Sequence, residues 1–216
     1  MNYIVCDLDN TLCKVNTFKI WLLFHLAASI FLSWYFFSQV TLVILLRFNR
    51  KIGRWLMKKL ILEIYERSFQ RTRSLLNNTF TRILLCLIDK KVLEQVMNRH
   101  NPKITILATA APNFYSERLG TILGFNYTLS TFKLDNEWTE NLGEQKLNSF
   151  KKLVVSWPDA ITLIEMFTDH PDDLPLCQYA HKTVLVNPRK GYLAQFYKAG
   201  VNPEILYTKS RATRAS

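Results

Sequence analysis

Asp7 and Asp9 close a short apolar run, and Thr109 and Asp169 close two others far along the chain. A carboxylate at a strand end can attack phosphorus to form an aspartyl-phosphate, splitting one difficult hydrolysis into two easier steps. Asp7 is the candidate nucleophile. Asp9, two residues on, is placed to protonate a leaving oxygen and then to take a proton from the water that attacks the intermediate. The Thr109 hydroxyl and nearby backbone N–H groups suit phosphoryl oxygens, while Lys146 supplies fixed positive charge at the start of its helix. Asp169 and Asp173 complete the set and raise a charge problem. Like charges about 4 Å apart repel by roughly 4 kcal/mol at an effective dielectric near 20, so several carboxylates cannot face a phosphate dianion uncompensated. A hard divalent cation on oxygen ligands removes the conflict, which makes Mg²⁺ the expected cofactor.

These residues need a scaffold that brings strand ends together. Met1 to Cys6, Ile104 to Ala108, Leu163 to Thr168 and Thr183 to Val186 read as strands. Between them lie helical patterns, Asn113 to Leu123 closed by Gly124 and Gly143 to Leu153. Such alternation predicts an α/β fold, a Rossmann-like parallel sheet with helices on both faces. Ligands of such sheets bind beyond the carboxyl ends of the strands, so Asp7, Thr109 and Asp169 are expected to share one crevice. Tyr127 to Glu140 reads as a hairpin around Asp135-Asn136, which gives Asp135 a turn role and not a catalytic one.

Residues 15–99 hold no strand alternation and read as an all-helical insert placed after the first strand, leaving 1–14 and 100–216 as the core. Leu56, Met57, Leu60, Ile61, Ile64 and Tyr65 recur at helical spacing, and Leu84, Leu87, Ile88 and Val92 do so in a later helix. The net charge of +11 is concentrated there. Residues 15–99 carry 14 Lys or Arg against 4 Asp or Glu, a balance of +10, and the rest of the chain has +1. Cys6, Cys13, Cys86 and Cys177 lack metal-ligand spacing and read as buried thiols of a reducing compartment. No zinc site is expected; His25, His100 and His181 are isolated, and His170 reads as a bystander. Met1 to Cys6 is already a strand, so no secretory signal is expected before it. The tail from Lys209 to Ser216 reads as a loose terminus.

DLDNTL at Asp7 to Leu12, ILATAAP at Ile106 to Pro112, GEQK at Gly143 to Lys146 and FTDHPDDLPL at Phe167 to Leu176 together resemble the haloacid dehalogenase (HAD) superfamily, in particular its phosphoserine-phosphatase-like subfamily. The resemblance covers Met1 to Lys14 and about Asn101 to Arg189. It implies a phosphatase with the nucleophile at Asp7, the acid/base at Asp9 and phosphate contacts from Thr109 and Lys146. It also implies Mg²⁺ on Asp7, the Asp9 carbonyl and Asp169, supported through water by Asp173. Asp172 stands where the family often has Asn and is set aside. A helical cap after the first strand is common in this superfamily and selects the substrate. The layout is also similar to that of the bacterial phosphatidylglycerophosphatase C family, whose members are membrane-associated with an apolar cap.

Ile20 to Leu46 runs 27 residues without Asp, Glu, Lys or Arg, beyond the ~18 that signals a membrane-embedded helix. Arg47, Arg50, Lys51, Arg54, Lys58 and Lys59 follow with no acid among them. Each contributes about 1 kcal/mol near an anionic leaflet. Nucleic acid ranks lower as a partner, because the charges flank an apolar run and are not interleaved with stacking aromatics. Asp7 precedes the run and Asp169 follows it, yet both belong to one site, which excludes an odd number of membrane crossings. One straight helix would extend roughly 40 Å. A break near Ser29 to Ser38 is therefore expected, giving a re-entrant hairpin or two interfacial helices. The expectation is a phosphomonoesterase at the cytoplasmic face of the inner (plasma) membrane, acting on a lipid phosphate such as phosphatidylglycerol phosphate. The rivals are a cytoplasmic phosphatase for a phosphoserine-like metabolite and a non-catalytic module that binds a phosphorylated ligand or membrane partner.

Overall fold

The computed structural model describes residues 1–100, 103–155 and 162–208, so the tail from Lys209 lies outside the described residues. Seven strands form one sheet: β1 (Asn2–Cys6), β2 (Lys103–Pro112), β3 (Tyr127–Leu134), β4 (Glu137–Thr139), β5 (Leu163–Thr168), β6 (Lys182–Val186) and β7 (Glu204–Leu206). Their order is β4-β3-β2-β1-β5-β6-β7, parallel except for the β3–β4 hairpin. The chain builds outward from β1 on one side through β2 and β3, then crosses to β5 on the other. The switch point, where ligands of open parallel sheets bind, therefore lies at the end of β1. Cys6 pairs with both Leu107 and Phe167, so Asp7 stands level with Ala108 and Thr168.

The strands are apolar on both sides, as parallel strands covered by helices must be. Tyr3, Val5, Ile106, Ala108, Ile164, Met166 and Leu185 turn one way. They meet Phe150 of α7 (Glu144–Val155), Leu176 of α8 (Leu174–Tyr179) and Phe196 of α9 (Tyr192–Lys198). Asp135 and Asn136 both take positive φ at the hairpin tip, which their short polar side chains tolerate. β7 is absent from the sequence reading because three residues show no resolvable period.

The remaining helices are α1 (Thr17–Leu32), α2 (Trp34–Phe48), α3 (Arg54–Ser68), α4 (Arg73–Leu85), α5 (Lys90–Asn98) and α6 (Asn113–Ile122). The chain forms two compact units, Met1–Thr17 with Leu84–Ser216, and Phe18–Ile83. The helical unit is thus shorter than the expected 15–99. Residues 84–98 join the sheet unit because backbone bonds hold them there: Lys14 N–H donates to the Leu87 carbonyl at 3.0 Å and Asp89 N–H to that of Leu12 at 2.8 Å. The helix expected through Leu84 to Val92 is broken for the same reason. Ile88 bridges to Cys13, and Asp89 caps α5 by accepting from Lys91 N–H at 3.1 Å. Cys6, Cys13 and Cys177 are buried, whereas Cys86, expected inside, is exposed.

Within the helical unit the apolar run breaks at Ser33, inside the expected window. Ser33 leaves helical geometry and its hydroxyl accepts from Phe36 N–H at 3.3 Å, starting α2. No helix among the described residues is long and apolar enough to cross a membrane. The unit's core is aromatic. His25 is fully buried with the rings of Trp21, Phe24, Phe36, Tyr65, Phe69 and Phe80 all within 6.5 Å. Its Nδ1 lies 2.8 Å from the Trp21 carbonyl, and burial pulls its pKa down to about 4. Lys58 corrects the sequence reading: it is buried in this unit near the rings of Phe18 and Trp55, so it leaves the group of surface cations.

Candidate active site

Asp7 extends β1 by one residue, its N–H donating to the Phe167 carbonyl at 2.9 Å. The chain then folds back sharply. Leu12 N–H donates to the Asp7 carbonyl at 3.3 Å and Cys13 N–H to that of Leu8 at 2.7 Å, with Asn10 at φ 58° making the turn. Asp7 and Asp9 therefore project from a hydrogen-bonded loop at the carboxyl edge of the sheet.

Thr109 lies on the neighbouring strand where the β2–β3 register shifts between Ala108 and Pro112. A bulge re-aims side chains at such a place. The buried Thr109 oxygen accepts from Ala111 N–H at 3.0 Å, which leaves its hydroxyl proton available to a ligand. On the other side of β1, Asp169 follows β5, and Asp173 ends a 3₁₀ turn, Pro171–Asp173, that begins two residues later.

Lys146 ties the two edges together. It sits in the first turn of α7 after Gly143, whose φ of 58° suits glycine, and it is almost completely buried. Its Nζ lies 2.9 Å from Asp7 Oδ1 and 2.5 Å from Asp173 Oδ1. Thr168 hydroxyl also donates to Asp173 Oδ2 at 2.7 Å, and Thr11 hydroxyl to Asp169 Oδ1 at 3.3 Å. Asp173 is thus engaged by a lysine and a threonine, so as a metal residue it has at most an indirect part.

The electrostatics follow from burial. One lysine faces four carboxyl groups. Burial pushes the Asp7 carboxyl well above its ordinary range; Lys146 pulls it back, and Asp173, Asp169 and Asp9 push further. Asp169 is raised to about 7, first by burial and then by Asp173, against the Thr11 hydrogen bond and Arg189. The site carries more negative charge than its single lysine balances. Among the described residues no three His, Cys, Asp or Glu side chains gather into a metal cage. A cation here would rest on two carboxylates, Asp7 and Asp169, and the Asp9 carbonyl. That hard oxygen set fits Mg²⁺, which retains several waters and needs few protein ligands.

Asp9 carries a feature that sequence reading misses. Its Oδ1 accepts from Thr17 N–H at 2.7 Å and from the Thr17 hydroxyl at 2.6 Å, while its Oδ2 accepts from Asn16 at 3.3 Å. Thr17 in turn meets the Tyr115 hydroxyl at 3.0 Å. Nothing in the spacing of Thr17 and Tyr115 announces this contact across the chain.

A family model for haloacid dehalogenase-like hydrolases matches residues 4–178. The chain belongs to that family. Comparison with curated proteins finds no match. The fold of this haloacid dehalogenase-like chain is similar to that of a protein of unknown function from Bordetella pertussis Tohama I, at 15% identity and TM-score 0.78, over 94% of this chain and 97% of that one. It is also similar to a phosphoserine phosphohydrolase-like protein from Francisella tularensis subsp. tularensis SCHU S4, at 16% identity and TM-score 0.57, over 95% of each chain. A probable phosphoserine phosphatase from Vibrio cholerae matches at 13% identity and TM-score 0.57, over 90% of this chain and 58% of that one. At these identities the likeness establishes a shared haloacid dehalogenase fold.

Proposed function

We propose that this hydrolase cleaves phosphate monoesters through a phospho-Asp7 intermediate. The observation that carries the reading is Lys146, buried and bridging Asp7 and Asp173 beside Asp169. With Oδ1 of Asp7 held by Lys146, Oδ2 is free to attack phosphorus. The P–O ester bond breaks as the Asp7–P bond forms, and Asp9 gives its proton to the departing oxygen. Water then attacks the same phosphorus, Asp9 recovers a proton from it, and Asp7 is released with inorganic phosphate. The Thr109 hydroxyl and adjacent backbone N–H groups hold the phosphoryl oxygens. Bound Mg²⁺ would supply compensation for the carboxylates and phosphate. Asp7→Asn is expected to abolish phosphate release while leaving the circular dichroism spectrum intact; unchanged turnover in that variant would remove the nucleophile assignment.

The substrate we favour is a lipid phosphate such as phosphatidylglycerol phosphate, met at the cytoplasmic face of an anionic membrane. The helical unit supports this. Phe31 is 89% exposed, Trp34 69% and Phe48 84%, and Leu23, Ile30, Leu42 and Leu45 are exposed on the same two helices, α1 and α2. A globular helix normally turns charge outward; these turn out apolar side chains with no acid between Asn10 and Leu62. Arg47, Arg50, Lys51 and Arg54 lie exposed where α2 gives way to α3, which matches an anionic leaflet. Co-sedimentation with phosphatidylglycerol vesicles checks this, with Phe31→Ser/Trp34→Ser expected to lower binding at least tenfold. A head-to-head assay decides the substrate class: equal or better turnover of phosphoserine in the presence of vesicles would favour the soluble metabolite instead.

A further inference from the structure

We propose that Thr17, backed by Tyr115, is a positioning residue that aims the Asp9 carboxyl; this rests on the phosphoryl-transfer reading above. The argument begins at the start of α1. The first N–H groups of a helix lack intrahelical acceptors, and the usual solution is a side chain at the position just before the helix. Asn16, a preferred capping type, occupies that position. Its side-chain amide donates to Asp9 Oδ2, and the Thr17 N–H reaches Asp9 Oδ1. The helix start is thus organised around a carboxyl eight positions upstream.

Donor counting then gives the direction of the chain of bonds. Oδ1 of Asp9 already accepts from the Thr17 N–H, and with the carboxyl's own proton carried on Oδ2 it also accepts the single hydroxyl proton of Thr17 at 2.6 Å. The Thr17 oxygen is left to accept, and Tyr115 must be the donor across the 3.0 Å between them. Thr17 and Tyr115 are both fully buried. Burial and the charge of Asp9 hold the Tyr115 phenol well above its ordinary range, so it keeps the proton it donates.

Two donors from one residue on Oδ1 fix the plane of the Asp9 carboxyl. Oδ2 is held by the longer Asn16 contact at 3.3 Å, which makes Oδ2 the oxygen that turns to the substrate's leaving oxygen. Two short hydrogen bonds on one oxygen hold the carboxyl in a single orientation, and their removal frees a group that has to be aligned with the leaving oxygen.

The test separates aiming from folding. Wild type, Thr17→Val, Thr17→Ser and Tyr115→Phe are assayed with Mg²⁺ on two probes, glycerol 1-phosphate and p-nitrophenyl phosphate. The comparison uses kcat/KM, which reports phosphoryl transfer to Asp7 before the phospho-enzyme is hydrolysed. The alkoxide leaving group needs a proton from Asp9 and nitrophenolate does not. Thr17→Val is expected to lose about tenfold or more on glycerol 1-phosphate and less than about threefold on p-nitrophenyl phosphate. Thr17→Ser, which keeps the hydroxyl, restores the alkyl substrate, and Tyr115→Phe shows the same asymmetry more weakly. Equal losses on both probes, or none, would overturn the aiming role. The underlying reading fails separately: wild type inert on both probes, or Asp7→Asn as active as wild type, would sink the mechanism and the aiming role with it.

Discussion

At the scale of single residues the site is a place where stability is given up for reactivity. Asp169 has its carboxyl raised from 3.8 to about 7, so the folded chain holds that proton more tightly than the unfolded chain. Its contribution to stability is fully present below about pH 4 and is lost as pH rises through 7. In metal-free protein at pH 8, Asp169→Asn is therefore expected to be more stable than wild type by about 2–4 kcal/mol, a difference that vanishes near pH 4. Urea unfolding at the two pH values checks it. Mg²⁺ should raise the Tm of wild type and leave that of Asp169→Asn nearly unmoved. Lys146→Met has the opposite sign, because it strands Asp7 and Asp173 in the interior; a loss of about 3–5 kcal/mol at neutral pH is expected. Asp7, Asp9 and Asp169 were legible in the sequence because they close apolar runs, Asp173 because it stands in the motif that begins at Phe167, and Lys146 because it opens a helical pattern. Thr17 and Tyr115 were not, since a side-chain contact between distant segments leaves no period. Lys58 misled for a related reason: among five other cations it reads as solvated, and only the structure places Phe18 and Trp55 beside it.

Elements position these residues through close contacts that tolerate little change. Gly120 on α6 lies so near β3 that an added Cβ would sit 2.1 Å from Thr128 Oγ1. Gly120→Ala is expected to cost about 1–3 kcal/mol by pushing α6 off the sheet. Thr128→Ala in the same chain should recover part of that, as thermal unfolding of the single and double variants would reveal. Because α6 also carries Tyr115, the alanine variant should lose activity on alkyl phosphates as well. Four strands and the hairpin were legible from apolar runs bounded by turn residues. The ends of the insert were not, since residues 84–98 are helical in pattern but bonded to the sheet unit through Leu12, Lys14 and Leu87. Helical periodicity reports that a segment has an apolar face and leaves open which core that face joins.

Across the whole molecule the two units carry different sensitivities. His25, its pKa lowered to about 4, stays neutral inside the helical unit while the unfolded chain takes up a proton below about 6.5. Stability is full above that value and falls as pH drops towards 4, by about 3 kcal/mol. Far-ultraviolet circular dichroism during acid titration should show that loss in wild type and a smaller one in His25→Phe. The order of the strands has a separate consequence. β1 is made before the neighbours that flank it, β2 and β5, which follow roughly a hundred and a hundred and sixty residues later. Phe18–Ile83 is continuous and can collapse at once, whereas Asp7 must wait for the segment ending at Thr168 before its surroundings exist. A nascent chain halted short of β5 would thus display its greasy helices to lipid or chaperones while still lacking any catalytic pocket, so that delivery to a destination can precede the birth of activity.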